Sequence, residues 1–339
     1  MSSGWSGPAW GEPSRATASP VPLRTGASAA AAAYRADGGV AQEFAVLAAS
    51  VAGVSHRLAG RRCEDSWGWV QPAPGRLALV VADGVSGAGR GGEGADQAVD
   101  AACASLLGCP GAGWGEVECS AAISAASQEL LRAGGGAAAE FSTTLVVALI
   151  SLGPDGADVC LGRVGDSTAY SLSAGEWEEL FGYGEATYEM LSTATNVLPF
   201  TGAGAGAGED ASAGAGTGQL PVGGGPRVAP GAVVPGEPGP AGRAGEELQP
   251  VSLAPGERVP GELRSMSLPP GAALVLMTDG VANPLRDGPG TVAPALAAVL
   301  AGAGSEGSGT GLAPLELAHA LDFSRRGALD DRTVAVAWP

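Results

Sequence analysis

The sequence predicts an α+β fold, with antiparallel sheet and helices set apart from it. Three observations lead there. Short apolar runs recur along the chain, each closed by turn residues. Successive runs are joined by only a few residues, which suits hairpins and is too short for parallel crossovers. Four other segments carry apolar residues at helical rather than alternating intervals.

In chain order, residues 1–43 are rich in Ser, Pro, Gly and Ala without apolar periodicity, and are expected to form a disordered leader. Phe44–Val51 is the first candidate strand. Trp67–Gln71 and Leu77–Ala82 follow, joined across Pro72-Ala73-Pro74-Gly75. Helices are expected near Glu93–Leu107 and Val117–Arg132, and strands at Thr144–Leu152 and Val159–Val164. Gly182–Pro199, with Tyr183, Tyr188 and Asn196, reads as a mobile flap. Residues 201–259 open on alternating Gly and Ala and continue rich in Pro and Gly. Such a stretch cannot pack a core, so it reads as a flexible insertion in a single domain spanning 44–339. Strand Leu274–Thr278, helices Val292–Leu300 and Pro314–Leu321, and strand Thr333–Trp338 complete the order.

Composition narrows the function. Of 339 residues 57 are Gly and 25 Pro, and the hydrophobic 45% contains only 5% aromatic residues. Much of the apolar content is therefore Ala, and one core of roughly 230 residues fits better than two full domains. The net charge is −17, from 35 acidic residues and 18 basic ones, all Arg. That excess repels phosphate backbones and anionic lipid, which argues against nucleic-acid and membrane partners. The five Cys are odd in number and form no C-x-x-C pair, so a reducing cytoplasm is expected rather than a disulfide framework. With only His56 and His319, a His-rich metal site is excluded. No signal peptide and no membrane span of eighteen apolar residues is read from the chain.

The acidic residues are placed in a pattern. Asp83, Asp166 and Asp279 each follow an apolar run, whereas Glu64-Asp65 and Asp330-Asp331 each precede one. In an antiparallel pair the start of one strand lies beside the end of its partner. Hairpin pairing would carry Glu64 and Asp65 to Asp83, and Thr143 and Thr144 to Asp166. So many like charges at one sheet edge require divalent cations to offset them. Oxygen ligands without His or Cys favour Mg²⁺ or Mn²⁺, and the Gly84 carbonyl adds a further oxygen. A single Asp-Gly at a strand end is more often just a turn. The complete set is not explained that way.

The motifs Glu64-Asp65, Val81-Ala82-Asp83-Gly84, Ser142-Thr143-Thr144-Leu145, Val164-Gly165-Asp166-Ser167, Thr278-Asp279-Gly280-Val281 and Asp330-Asp331-Arg332-Thr333 occur in that order. In that order they resemble the metal-dependent protein phosphatases of type 2C. The stretch Ser55-His56-Arg57-Leu58-Ala59-Gly60-Arg61-Arg62-Cys63-Glu64-Asp65 looks most like a bacterial branch. The resemblance implies an αββα sandwich, two antiparallel sheets flanked by helices. It also implies hydrolysis of phosphoserine or phosphothreonine on a protein partner, linked to a serine/threonine kinase, by a cytoplasmic monomer. Carried over, Asp83 bridges two Mn²⁺ or Mg²⁺ ions with the Gly84 carbonyl on one, and Asp279 and Asp330 hold the first. Glu64 reaches the second directly or through water, Asp65 and Asp331 stand in the second shell, and Asp166 with Asp279 resembles a weaker third-metal position. The nucleophile implied is a metal-bound hydroxide, with no catalytic side chain.

Three positions depart from the family pattern. Gly60 stands where an Arg often grips phosphate, leaving Arg62, Arg61, Arg57 and His56 as candidates. Thr168 stands where Arg is frequent, and Asp330-Asp331 replaces the usual Asp-Asn. These departures keep a second function open, a pseudophosphatase that captures phosphoprotein without turnover. A third reading takes Gly87-Ala88-Gly89-Arg90-Gly91-Gly92 as a dinucleotide-binding turn. It is weak in so Gly-rich a chain, where parallel units do not continue.

Overall fold

The computed structural model describes residues 22–23, 33–41, 43–109, 114–181, 197–200, 261–286, 292–304, 314–324 and 329–339. The chain divides into residues 1–200 with 252–339, which carry every described element, and residues 201–251. The expected insertion at 201–259, and most of the expected flap, lie outside the described residues.

The elements run β1 (Pro22–Leu23), β2 (Tyr34–Ala41), β3 (Phe44–Val51), α1 (Val54–Leu58), β4 (Ser66–Ala73), β5 (Arg76–Ala82), α2 (Gly91–Leu107) and α3 (Glu116–Gly134). After a 3₁₀ turn over Gly135–Phe141 come β6 (Leu145–Gly153), β7 (Gly156–Val164), β8 (Thr168–Ser173), β9 (Glu176–Glu179), β10 (Glu262–Leu268), β11 (Ala273–Met277), α4 (Asp279–Arg286), α5 (Val292–Gly304), α6 (Pro314–Leu321) and β12 (Arg332–Trp338). They build two six-stranded sheets, ordered β1-β4-β5-β6-β7-β10 and β2-β3-β12-β11-β8-β9. Every described pairing is antiparallel. The dinucleotide reading fails on this point, since it needs parallel strands around its glycine turn.

Three apolar layers stack through the molecule. Leu77, Leu79 and Val81 of β5 point into the core between the sheets, with Trp67, Trp69, Leu274 and Leu276. Their alternates Ala78, Val80 and Ala82 pack under α2 and α3, against Leu106, Ile123 and Leu130. On the far side, Val275, Met277, Val334 and Val336 pack under α4, α5 and α6. The result is the expected αββα sandwich. Strands buried on both faces are apolar at every position, which is why these runs stand out in the sequence.

The expected leader ends earlier than its composition suggested. Residues 34–41 form β2 and pair with β3 from Tyr34↔Val51 to Ala41↔Phe44. Its sequence, YRADGGVA, carries almost no apolar signal because an edge strand needs little of it. The cysteines are unpaired and four of the five are buried, as small apolar residues would be.

Candidate metal centre

Asp83 is the first residue past β5, and backbone and hydroxyl groups fix it there. Its N–H donates to the Thr144 hydroxyl at 3.1 Å. Its carbonyl accepts from the Thr144 amide at 2.8 Å and the Thr143 hydroxyl at 2.8 Å. The Thr144 hydroxyl lies 2.8 Å from that of Ser167, beside Asp166. The β4–β5 register sets Ser66 opposite Ala82, so Asp65 is carried next to Asp83. A side chain at Gly84 would meet the Gly91 backbone at 2.4 Å, so only Gly lets this turn close on the start of α2.

The other sheet supplies Asp279 and Asp330. Asp279 opens α4, where a carboxylate suits the helix dipole, and accepts from Asn283 Nδ2 at 3.1 Å. The neighbouring Gly280 packs directly on the chain before β12: a Cβ there would lie 1.9 Å from the Asp331 carbonyl oxygen. Gly280→Ala is therefore expected to cost about 3 kcal/mol, the upper range for overpacking. It would also push Asp279 away from Asp330. A urea midpoint equal to that of the unsubstituted protein would contradict this close packing.

Asp83, Asp166, Asp279 and Asp330 line one cleft of ≈ 610 Å³ with Gly84, Val85, Ser86, Gly87, Ala88, Ala139, Ser142, Thr144 and Val197. No basic side chain is on that wall among the described residues. Burial, and then the charges of Asp65, Asp279, Asp330 and Asp166, push the Asp83 carboxyl well above the usual range. Burial followed by Asp166 and Asp330 pushes Asp279 up to about 6. Asp330 is also raised, chiefly by burial. Asp65 stands behind the wall, its Oδ2 accepting from the Thr278 hydroxyl at 2.9 Å. Burial and then Asp331 hold its carboxyl well above the usual range.

This site fits a hard divalent ion. Asp65 Oδ1, Asp279 Oδ1 and Glu64 Oε2 are buried without a hydrogen-bond partner, an expensive state for a carboxylate oxygen. The wall offers carboxylate and carbonyl oxygens and neither imidazole nor thiol, the donor set of Mg²⁺ or Mn²⁺. Among the described residues no three acidic, His or Cys side chains close on one point as a finished ligand set. Spread carboxylates are what mutual repulsion produces.

The phosphate-binding candidates are placed elsewhere. Arg61 is paired with Glu64, and Arg62 with Asp96 of α2 at 2.6 Å. Arg57 is paired with Asp322 at 2.9 Å and donates to the Tyr34 hydroxyl at 3.1 Å. His56 is buried against Asp331. None of the four lines the cleft. Glu64 does not line it either, and burial raises its carboxyl. The sequence reading quoted Thr278 and Thr333 in its motifs but gave them no role; they tie β11 to β12, the Thr333 amide donating to the Thr278 hydroxyl at 3.0 Å. Their only signal was a Thr at the end or start of a strand bordering an acid.

The family model for protein phosphatase 2C matches residues 52–322. The chain belongs to the protein phosphatase 2C family. By that membership it is a protein serine/threonine phosphatase. No curated protein matches the phosphatase at the level of sequence. Among solved structures, a bacterial serine phosphatase matches with 15% identity and a TM-score of 0.51, over 86% of this chain and 96% of that one. The Mycobacterium tuberculosis serine/threonine phosphatase PstP/Ppp matches with 16% identity and a TM-score of 0.49, over 87% and 97%. The catalytic domain of a PstP phosphatase, solved with 2 manganese ions, matches with 16% identity and a TM-score of 0.46, over 90% and 96%. No helix of the described phosphatase is long and apolar enough to cross a membrane.

Proposed function

We propose that this chain hydrolyses phosphoserine and phosphothreonine monoesters on proteins, using divalent ions held in the acidic cleft. The observation that carries the reading is four carboxylates on one wall with no basic side chain beside them among the described residues. A phosphate dianion enters such a cleft only when cations offset its charge. Asp83, the Gly84 carbonyl, Asp279 and Asp330 would hold the first ion, with Asp83 shared by a second. Glu64 and Asp65 would serve that second ion directly or through water, and Asp166 with Asp279 a third. When bound, the ions activate water for attack at phosphorus and offset charge on the phosphoryl oxygens.

The chain's own contribution is placement. Thr143 and Thr144 grip the Asp83 backbone from the neighbouring strand, so its carboxylate leaves the sheet edge in one direction. Ser86 and Ser142 line the wall, where their hydroxyls would orient the phosphate ester. Val85, Ala88, Ala139 and Val197 give the cleft an apolar margin. The substrate class is the product of a serine/threonine kinase, and the cytoplasm is the compartment that fits unpaired cysteines.

The test is phosphate release from p-nitrophenyl phosphate and a phosphothreonine peptide with Mn²⁺, with Mg²⁺ and with EDTA. Release that needs the metal is expected. The departures at Gly60 and Thr168 leave one alternative, capture of phosphoprotein without turnover. Folded protein that binds the peptide yet releases nothing with either metal would establish that alternative.

A further inference from the structure

His56 has an environment that phosphate binding does not explain. Its ring is 4% exposed and lies behind the cleft. Nδ1 is 2.9 Å from both carboxylate oxygens of Asp331, and Nε2 is 3.8 Å from Glu64 Oε2, an oxygen with no hydrogen-bond partner. Asp331 also accepts from the Gly53 amide at 2.6 Å and from the Glu64 amide. Its own carbonyl abuts Gly280 at the start of α4. One carboxylate thus joins the chain entering α1, the acidic pair before β4 and the acidic pair before β12.

We propose that His56 is a positioning residue: acting through Asp331, which also holds the Gly53 and Glu64 amides, it sets Glu64 and Asp330 for the divalent ions. The inference rests on the metal-dependent reading above. Imidazole suits the role because its Nδ1–H sits on a rigid ring facing both Asp331 oxygens. The pair also accounts for Asp331 standing where the family resemblance leads one to expect Asn. An Asn offers one acceptor oxygen and an NH₂, and could not accept from Nδ1, Gly53 and Glu64 together.

The test uses the full chain as wild type, His56→Ala, His56→Asn, Asp331→Asn and His56→Ala/Asp331→Asn. Mn²⁺ is titrated calorimetrically without substrate, and amide exchange is followed over residues 53–65 and 329–332. His56→Ala is expected to weaken Mn²⁺ binding about 10–100-fold, the range for outer-shell partners, with faster exchange at Gly53 and Glu64. His56→Asn keeps a donor near the Nδ1 position and should restore both readouts to within about threefold. Adding Asp331→Asn to His56→Ala should cost little more than either alone, since both break one linkage. Folded His56→Ala with unchanged affinity and unchanged exchange overturns the proposal, and so does His56→Asn behaving like Ala. If His56→Ala does not fold, His56→Asn and Asp331→Asn decide between the same outcomes. If the wild type binds no Mn²⁺, the metal-dependent reading falls by itself. Exchange then decides alone whether His56 holds these segments.

Discussion

Asp83→Asn is expected to lower metal-dependent phosphate release by about a thousandfold or more, some 4 kcal/mol of transition-state stabilisation. The same substitution is expected to raise the thermal midpoint of the metal-free protein by roughly 2–4 °C. The two effects have opposite signs because one charge causes both. Asp83 is buried and faces Asp65, Asp279, Asp330 and Asp166, so without cations its ionised form is repelled from every side. Asn keeps the shape and the backbone bonds to Thr143 and Thr144, and removes the charge that a bridging ligand needs. Activity with Mn²⁺ and a circular-dichroism melt in EDTA measure the pair. A variant that melts earlier than wild type in EDTA would show that the carboxylate cluster does not strain the fold.

The metal-free protein is expected to lose stability as pH rises, the reverse of the behaviour of a protein with paired carboxylates. Asp279 titrates near 3.8 when unfolded and is pushed up to about 6 by burial and by Asp166 and Asp330. Between those values the folded chain holds more protons than the unfolded chain, so the slope of unfolding free energy against pH is negative. Stability is complete below about pH 4 for this group and falls until about pH 6, by on the order of 2–3 kcal/mol. Burial and neighbouring carboxylates raise Asp83 and Asp65 as well, so both act with the same sign. Saturating Mn²⁺ should flatten the curve or invert it, because a cation favours the ionised carboxylates. Urea midpoints from pH 4 to 8 in EDTA and in Mn²⁺ test it. A midpoint in EDTA that climbs with pH would refute the picture of repelling carboxylates.

The sequence showed the strands with unbroken apolar runs and concealed the polar or mixed ones, including Thr168–Ser173, which is buried on both faces yet alternates Thr, Tyr and Ser with Ala and Leu. Leu77 to Ala82 is apolar at every residue because alternate side chains enter two different cores. Glu262–Leu268 and Glu176–Glu179 are edge strands, charged and largely exposed, and nothing in their composition separates them from loops. Helix α4 is not among the helices expected from the sequence, because eight residues containing Pro284 give little helical signal. The β4–β5 and β6–β7 hairpins, which bring Asp65 to Asp83 and Thr144 to Ser167, were legible since hairpin pairing is a local rule. Partners of the arginines were not legible. Arg62 meets Asp96 and Arg57 meets Asp322 through packing between distant segments, and neither spacing nor residue type announces such a choice.

Strand β12 sits between β3 and β11, pairing Trp338 with Ala45 and Arg332 with Val51. During synthesis β3 therefore emerges long before its neighbour exists. Until residues 332–338 leave the ribosome, β3 and β11 each expose an open, apolar edge, and Asp330 has no fixed direction. The nascent chain must wait, with sticky edges that invite pairing to other chains. Loss of this one strand would remove the middle of a sheet rather than a margin. Strand β12 thus also closes the cleft's acidic wall, and folding of that sheet is set by the slow search for its most distant contact.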